Sequence, residues 1–324
     1  SVNYLTGYKY LCNEQLASKL IGLLAYQQYM QSKGEKVKVD KAIRPIIHRL
    51  TNHQNKHQLW SWWGNSENTS FWMSAHILRA LKMAQDAGYP VELNLNGLKV
   101  EYAHTRPYRG MKLEDIEILH ALHEWKVEAD YSSAVRLLEP FVQQLEQKED
   151  SLANRNKYYR PLSYLKEKLL LWEIKQQVDS VNVGDSVRPY LKKDMLEGVY
   201  CDDGRRTYYW EGNQMINTLI AYRIIKNDPS LCKLKENMQL YILRTKERGW
   251  NTYQASSAVA TVLTDLLAGS GGMSGTSVSV SGKDHQRITE FPYHARLTAG
   301  DSLLISKTGK EPLLYSVYSM KRVM

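Results

Sequence analysis

The sequence predicts a mainly α protein whose helices pair and close into an α/α toroid, a barrel of helix hairpins, followed by a short β segment. Three observations carry this. About ten stretches within residues 1–268 place apolar side chains at helical spacing and are joined mostly by short loops. One grammar recurs among them: an aromatic or glycine-bearing turn, a polar Ser/Thr/Asn/Gln stretch, then a long apolar helix, as in 60–83, 199–225 and 249–267. At 269–275 (Gly-Ser-Gly-Gly-Met-Ser-Gly) the composition changes abruptly, and alternation replaces helical spacing beyond it. A single helix of this kind buries too little surface, so pairs must stack about a common centre. Closing the array leaves no exposed end.

The elements follow in order. Leu16, Leu20, Leu23 and Leu24 give a helix over 16–31 its apolar face, and Pro45 suits the first turn of a second helix reaching His57. The tryptophan-dense loop Leu59-Trp60-Ser61-Trp62-Trp63-Gly64-Asn65 follows. Thr69 or Ser70 can cap a helix from Phe71 to Ala87, which Gly88 ends. Residues 91–110 read as irregular, and 113–127, 131–148, 161–179 and about 186–196 as helices. After Tyr208-Tyr209-Trp210 a helix runs to Ile225, and 230–247 and 252–268 supply the last two. Past the Gly/Ser linker 269–275, the segments 276–281, 291–298, 302–306 and 312–319 favour strands, with turns at 300–301 and 308–310.

Composition bounds the rest. With 43% hydrophobic and 24% charged residues the chain is an ordinary globular one, large enough for one big domain or two modest ones. No apolar run approaches the ~20 residues that span a bilayer. The three cysteines, Cys12, Cys201 and Cys232, show no framework spacing, and no Cys-x-x-Cys marks a zinc site. His53 with His57, and His120 with His123 near Glu117 and Glu124, have spacings a metal could use; polar helix faces explain both pairs better. The net charge of +9 is scattered over positions such as Lys36, Lys41, Lys166, Lys168 and Lys192, and no nucleic-acid motif accompanies it. A solvated basic surface is the expectation, with no nucleic-acid partner, no metal and no cofactor.

The chain opens almost directly on Tyr8-Lys9-Tyr10-Leu11-Cys12-Asn13-Glu14-Gln15-Leu16, so it reads as a piece excised from a longer protein. Cys12 and Gln15 are three apart and can meet at a helix start. A thiol held against a carboxamide carbonyl can displace ammonia and form an internal thioester. On those two residues alone, a small buried cysteine is the simpler account.

The whole string resembles the thioester region of the alpha-2-macroglobulin and complement family, whose usual form is Gly-Cys-Gly-Glu-Gln. Cys12, Glu14 and Gln15 match it, while Leu11 and Asn13 stand where the glycines would be. Gly249 to Ser256, with Gln254 and Ala255, looks like a later element of the same domain, and Phe71 to Leu78 like its tryptophan-containing helix start. The resemblance covers 1–268 and implies a thioester domain, with 276–324 as part of a flanking β-sandwich. It implies a protease-trapping inhibitor of bacterial type, extracytoplasmic and periplasmic or envelope-associated. Its partners would be target proteases, acylated covalently, and the flanking β domains of the parent chain. The bond is single-use, so this is not an enzyme. Cys12 and Gln15 would form the thioester, Glu14 would cap or position the turn, and Tyr8 and Tyr10 would help keep the site dry. Some complement relatives pass the acyl group through a histidine, and His104 is the candidate for that role. Two other readings stand beside it: a macroglobulin-like scaffold whose thioester does not form, and an α/α-toroid carbohydrate-active enzyme. The last needs convergent carboxylates in its central cleft; the first reading needs Cys12 and Gln15 in contact.

Overall fold

In the computed structural model the described residues are 5, 11–110, 112–207, 213–245, 249–263, 265, 277–282, 285–288, 293–298 and 301–308. Helices dominate them, as the sequence predicts. The longer ones are α1 (Asn13–Ser32), α2 (Asp40–Asn52), α3 (Phe71–Asp86), α4 (Asp115–Glu124), α5 (Tyr131–Arg155), α6 (Leu165–Val178), α7 (Gln214–Ile225), α8 (Cys232–Thr245) and α9 (Thr252–Ala258). The chain divides into two compact units, Ser1–Asp265 and Leu266–Met324.

Six helices of the first unit touch in a closed order: α1 packs on α3, α3 on α4, α4 on α6, α6 on α7, α7 on α9, and α9 returns to α1. The side chains explain who sits inside. In α3, Met73, Ala75, Ile77, Leu78, Ala80, Leu81 and Ala84 are buried on every side, and α7 is buried from Met215 to Tyr222. A helix apolar all round belongs in a core. By contrast α2 buries one stripe, Ile43, Ile46, Ile47 and Leu50, against α1 and α3. Helix α5 lies outside α6, and α8 outside α7. The approach around α1 is close: a Cβ on Gly22 would lie 2.9 Å from that of Leu5, itself 1% exposed.

Four expectations are corrected. Helix α2 begins at Asp40, so Pro45 is interior rather than in the first turn; the carbonyl its missing N–H frees belongs to exposed Lys41, where water can take it. Helix α5 runs on to Arg155 because Glu149 is a buried anchor there, accepting from the Tyr159 hydroxyl and the Leu162 amide, both at 2.8 Å. The stretch 186–196 is not a helix. A short helical turn (Gly184–Val187, then Arg188–Tyr190) ends at Tyr190, and β1 (Leu191–Lys193) pairs antiparallel with β2 (Val199–Cys201). Within 91–110 the chain is helical from 96 to 109, with a π-turn at Lys99–Thr105, while 91–95 are irregular as expected.

In the second unit β3 (Ser277–Ser281) is flanked by β4 (His285–Ile288) and β5 (Leu304–Thr308), all antiparallel. Val278, Val280 and Ile288 are buried, with Leu303 and Ile305 against them. Strand β4 was not anticipated, and 293–298 are not strand. The linker 269–275 and the segment 312–319 lie outside the described residues.

Candidate functional site at the start of helix α1

Cys12 is the N-cap of α1, in extended backbone (φ −70°, ψ 173°), and Gln15 is the third helical residue. The two form a reciprocal capping box: the Gln15 backbone N–H is directed at the Cys12 side chain, and the Gln15 side-chain Oε1 accepts from the Cys12 backbone N–H at 3.2 Å. Sulfur and carboxamide therefore share one turn. Cys12 is 5% exposed. Burial pushes its thiol pKa up, opposed by the Gln15 backbone N–H. Helix α9 opens on the same device, with Asn251 as N-cap and Gln254 three residues on. The pair at α1 is thus a helix cap in which the capping oxygen is replaced by a nucleophilic sulfur.

Asn13 and Glu14 fasten this turn to different parts of the unit. The Asn13 backbone N–H donates to the Trp62 carbonyl at 2.9 Å, and its Nδ2 donates to the carbonyls of Ser61 (2.8 Å) and Gly64 (3.0 Å). Glu14 accepts from the Ser18 hydroxyl and from the Thr252 hydroxyl at the start of the neighbouring helix α9, both at 2.7 Å. It is a tie between α1 and α9; the cap itself is made by Cys12 and Gln15. Burial raises the Glu14 pKa, with the two hydroxyls opposing. Ser18 Oγ also lies 3.1 Å from His76 Nε2 and 3.0 Å from Ser256 Oγ. Burial pushes the His76 pKa down to about 3, so its ring is neutral. An aromatic file runs alongside: Trp62 against Trp72, Trp72 against Tyr253, and Tyr253 against His76.

The middle of the ring holds a cavity of about 380 Å³, lined among others by His76, Arg79, Glu117, Glu124, Lys166 and Arg223. Its charges are paired. Lys166 donates to Glu117 at 2.6 Å, Arg79 to Glu124 at 2.7 Å, and Arg223 grips Glu173 with two bonds of 2.8 and 2.7 Å. His120 Nε2 donates to Glu173 at 2.8 Å. Two surface expectations fall here: Lys166 is 8% and His120 1% exposed. The i, i+3, i+7 spacing of Glu117, His120 and Glu124 put them on one face, but spacing does not say whether that face meets solvent or a charged interior. Burial works to raise all three carboxyls, yet the cations prevail and each titrates below its usual range, Glu124 at about 2. A glycosidase general acid needs a raised pKa. These carboxylates converge as that reading requires, but they are held ionised.

The network sets the pH dependence of stability. Carboxyls with depressed folded pKa values contribute fully above their unfolded value near 4.3, and lose that contribution as pH falls toward about 2. His120 has the opposite sign: burial lowers its pKa, but Glu124 and Glu173 outweigh burial and raise it. Its contribution is full below about pH 6.5 and is lost as pH rises through the raised value. His76, neutral in the fold down to about pH 3 but protonated below about 6.5 when unfolded, adds a loss as pH falls below about 6.5, so the thermal midpoint should be highest near about pH 6.5 and fall on both sides. A midpoint flat from about pH 3 to 8, followed by circular dichroism, would contradict this.

His104, the acyl-transfer candidate, sits exposed in the π-turn Lys99–Thr105, and no hydrogen bond among the described residues joins it to the Cys12–Ser18 segment. The histidines that do reach that segment are His53, through Asn13, and His76, through Ser18. Neither had a local signal, because their contacts span 40 and 58 positions. Tyr8 and Tyr10 lie outside the described residues. Among the described residues no cluster of three or more His, Cys, Asp or Glu could hold a metal, and no helix is long and apolar enough to cross a membrane.

A closed ring of helices with a sulfur-bearing cap at its first turn defines a mainly α class of domain, and known structures give it a counterpart. The chain is similar to a crystal structure of native alpha-2-macroglobulin from Escherichia coli, spanning domain MG7 to the C-terminus, at a TM-score of 0.58 and 15% identity. That match covers 94% of this chain and 45% of that one. The native conformation of the same E. coli protein, seen by cryo-electron microscopy, matches at 0.56 and 14% identity, over 94% of this chain and 18% of that one. A Salmonella alpha-2-macroglobulin reacted with methylamine matches at 0.52 and 16% identity, over 94% and 19%. Over nearly its whole length the chain is thus folded like part of a bacterial alpha-2-macroglobulin, and it spans less than half of those chains. No protein-family model and no curated protein matches it.

Proposed function

We propose that this chain is the thioester domain and adjoining β segment of a bacterial alpha-2-macroglobulin-like protease trap, acting outside the cytoplasm. The observation that carries the reading is the capping box, which seats the Cys12 sulfur and the Gln15 carboxamide on one turn beneath little solvent. In the maturation step the thiol adds to the Gln15 side-chain carbonyl, the C–N bond breaks, and ammonia leaves with the thiol proton. In the trapping step an amine of the protease attacks the same carbon, the C–S bond breaks, and the amine's proton passes to the Cys12 thiolate. Each molecule acts once, so this is not a turnover enzyme, and no cofactor enters either step. The closed order of six helices is the arrangement an α/α-toroid thioester domain would have, and the fold likeness to alpha-2-macroglobulins supports the same reading. Flanking β domains of the parent chain would complete the shield around the bond.

A fluorescent primary amine tests it. Incubated with freshly purified protein, it should attach to one residue, Gln15, and expose one new thiol, at Cys12. Cys12→Ala should take up none. Equal labelling of wild type and Cys12→Ala would overturn the reading.

A further inference from the structure

We propose that Asn13 is a latch, a positioning residue that ties the Trp60–Gly64 loop and His53 to the reactive turn and so sets how readily Cys12 and Gln15 are reached. The inference deepens the thioester reading and rests on it for its chemical meaning. Its geometric basis is separate.

Asn13 is 1% exposed, and both ends of its side-chain amide are hydrogen-bonded. Both hydrogens of Nδ2 are given to loop carbonyls, Ser61 at 2.8 Å and Gly64 at 3.0 Å. The oxygen must then be the acceptor, so His53, 2.6 Å away, carries its proton on Nδ1 and donates it to Asn13 Oδ1. With the backbone bond to Trp62, one residue makes four hydrogen bonds at the position directly after Cys12. A glycine there would keep the backbone bond and lose the other three.

The loop is built to receive this grip. Gly64 has φ +57°, a left-handed turn that directs its carbonyl back toward Asn13, and the Ser61 hydroxyl donates to the Trp63 carbonyl at 2.9 Å. Its root is fixed by buried Trp60, while Trp62 and Trp63 are 45% and 62% exposed. The far half of the loop is held more lightly, by Asn13 and by the edge contact of Trp62 with Trp72. Asn13 is the side chain that holds that half to α1, and lifting it strips partners from a buried amide.

The test compares Asn13→Ala, Asn13→Gly, His53→Ala and His53→Gln in the full 324-residue chain. Two rates are followed: thiol release by methylamine, and alkylation of Cys12 by iodoacetamide where that thiol is free. Buried Cys201 and exposed Cys232 serve as internal references. Asn13→Ala, Asn13→Gly and His53→Ala should each raise the Cys12 rate by about tenfold or more, the equivalent of one net hydrogen bond. His53→Gln, which keeps a donor, should stay within about twofold of wild type. The Cys201 rate should not move. Unchanged Cys12 rates in the alanine variants overturn the latch, and so does a parallel rise at Cys201, which would report general loosening. A wild type that releases no thiol with methylamine sinks the thioester reading instead, and the alkylation rates then still decide the latch.

Discussion

Glu173→Ala should lower unfolding stability by about 3–5 kcal/mol, because it strands the buried His120 donor and the half-buried Arg223 guanidinium at once. Arg223 would lose both of its bonds to that carboxylate, and His120 would lose the acceptor of its Nε2–H. Glu173 is 7% and His120 1% exposed, so water cannot readily replace what is lost. The charge left behind sits beside Arg79, whose guanidinium also approaches His120, so the change adds like-charge repulsion. Glu173→Gln keeps an acceptor and should cost less. Urea unfolding with a fluorescence readout measures both. A Glu173→Ala variant within about 1 kcal/mol of wild type would mean that the network contributes little, as exposed pairs do.

Trp60→Ala should cost about as much, 3–5 kcal/mol on the scale of large-to-small core changes. Its indole is fully buried, and Nε1–H donates to the Leu50 carbonyl near the end of α2 at 2.7 Å. Its backbone is fixed to α3 as well, donating to Ser74 Oγ at 2.9 Å. The residue therefore joins two helices and roots the loop that Asn13 holds. Trp60→Phe fills much of the space but loses the Nε1 bond, so its cost should fall below that of alanine while remaining measurable. Equal losses for both would place the whole effect in the hydrogen bond rather than in packing.

Much of the fold was legible because helical periodicity and turn residues are local signals. The apolar all-round character of 214–225 and the single stripe of 43–50 already separate an inner helix from an outer one. The hairpin at 191–201 escaped the sequence because 186–196 reads at helical spacing and 199–201 as part of a glycine-bearing turn, and only pairing of the two segments decides the matter. Cys12, Glu14 and Gln15 were legible through the resemblance of the whole string to a thioester motif; the spacing of Cys12 and Gln15 alone left a buried cysteine the simpler account. What the sequence hid was the partners. Asn13 looked like a departure from a glycine, yet its side chain meets groups 40 to 51 positions away. The cavity charges were hidden likewise: Glu117, Lys166, Glu173 and Arg223 become one network only when α4, α6 and α7 pack.

The most direct test of the central claim is the intact mass of freshly made protein, before and after methylamine, with thiols counted in both samples. The account predicts a mass lower than the sequence by one ammonia, then addition of one methylamine at Gln15 and one new thiol at Cys12. A mass equal to that of the plain sequence, with Cys12 already free and no methylamine taken up, would contradict it.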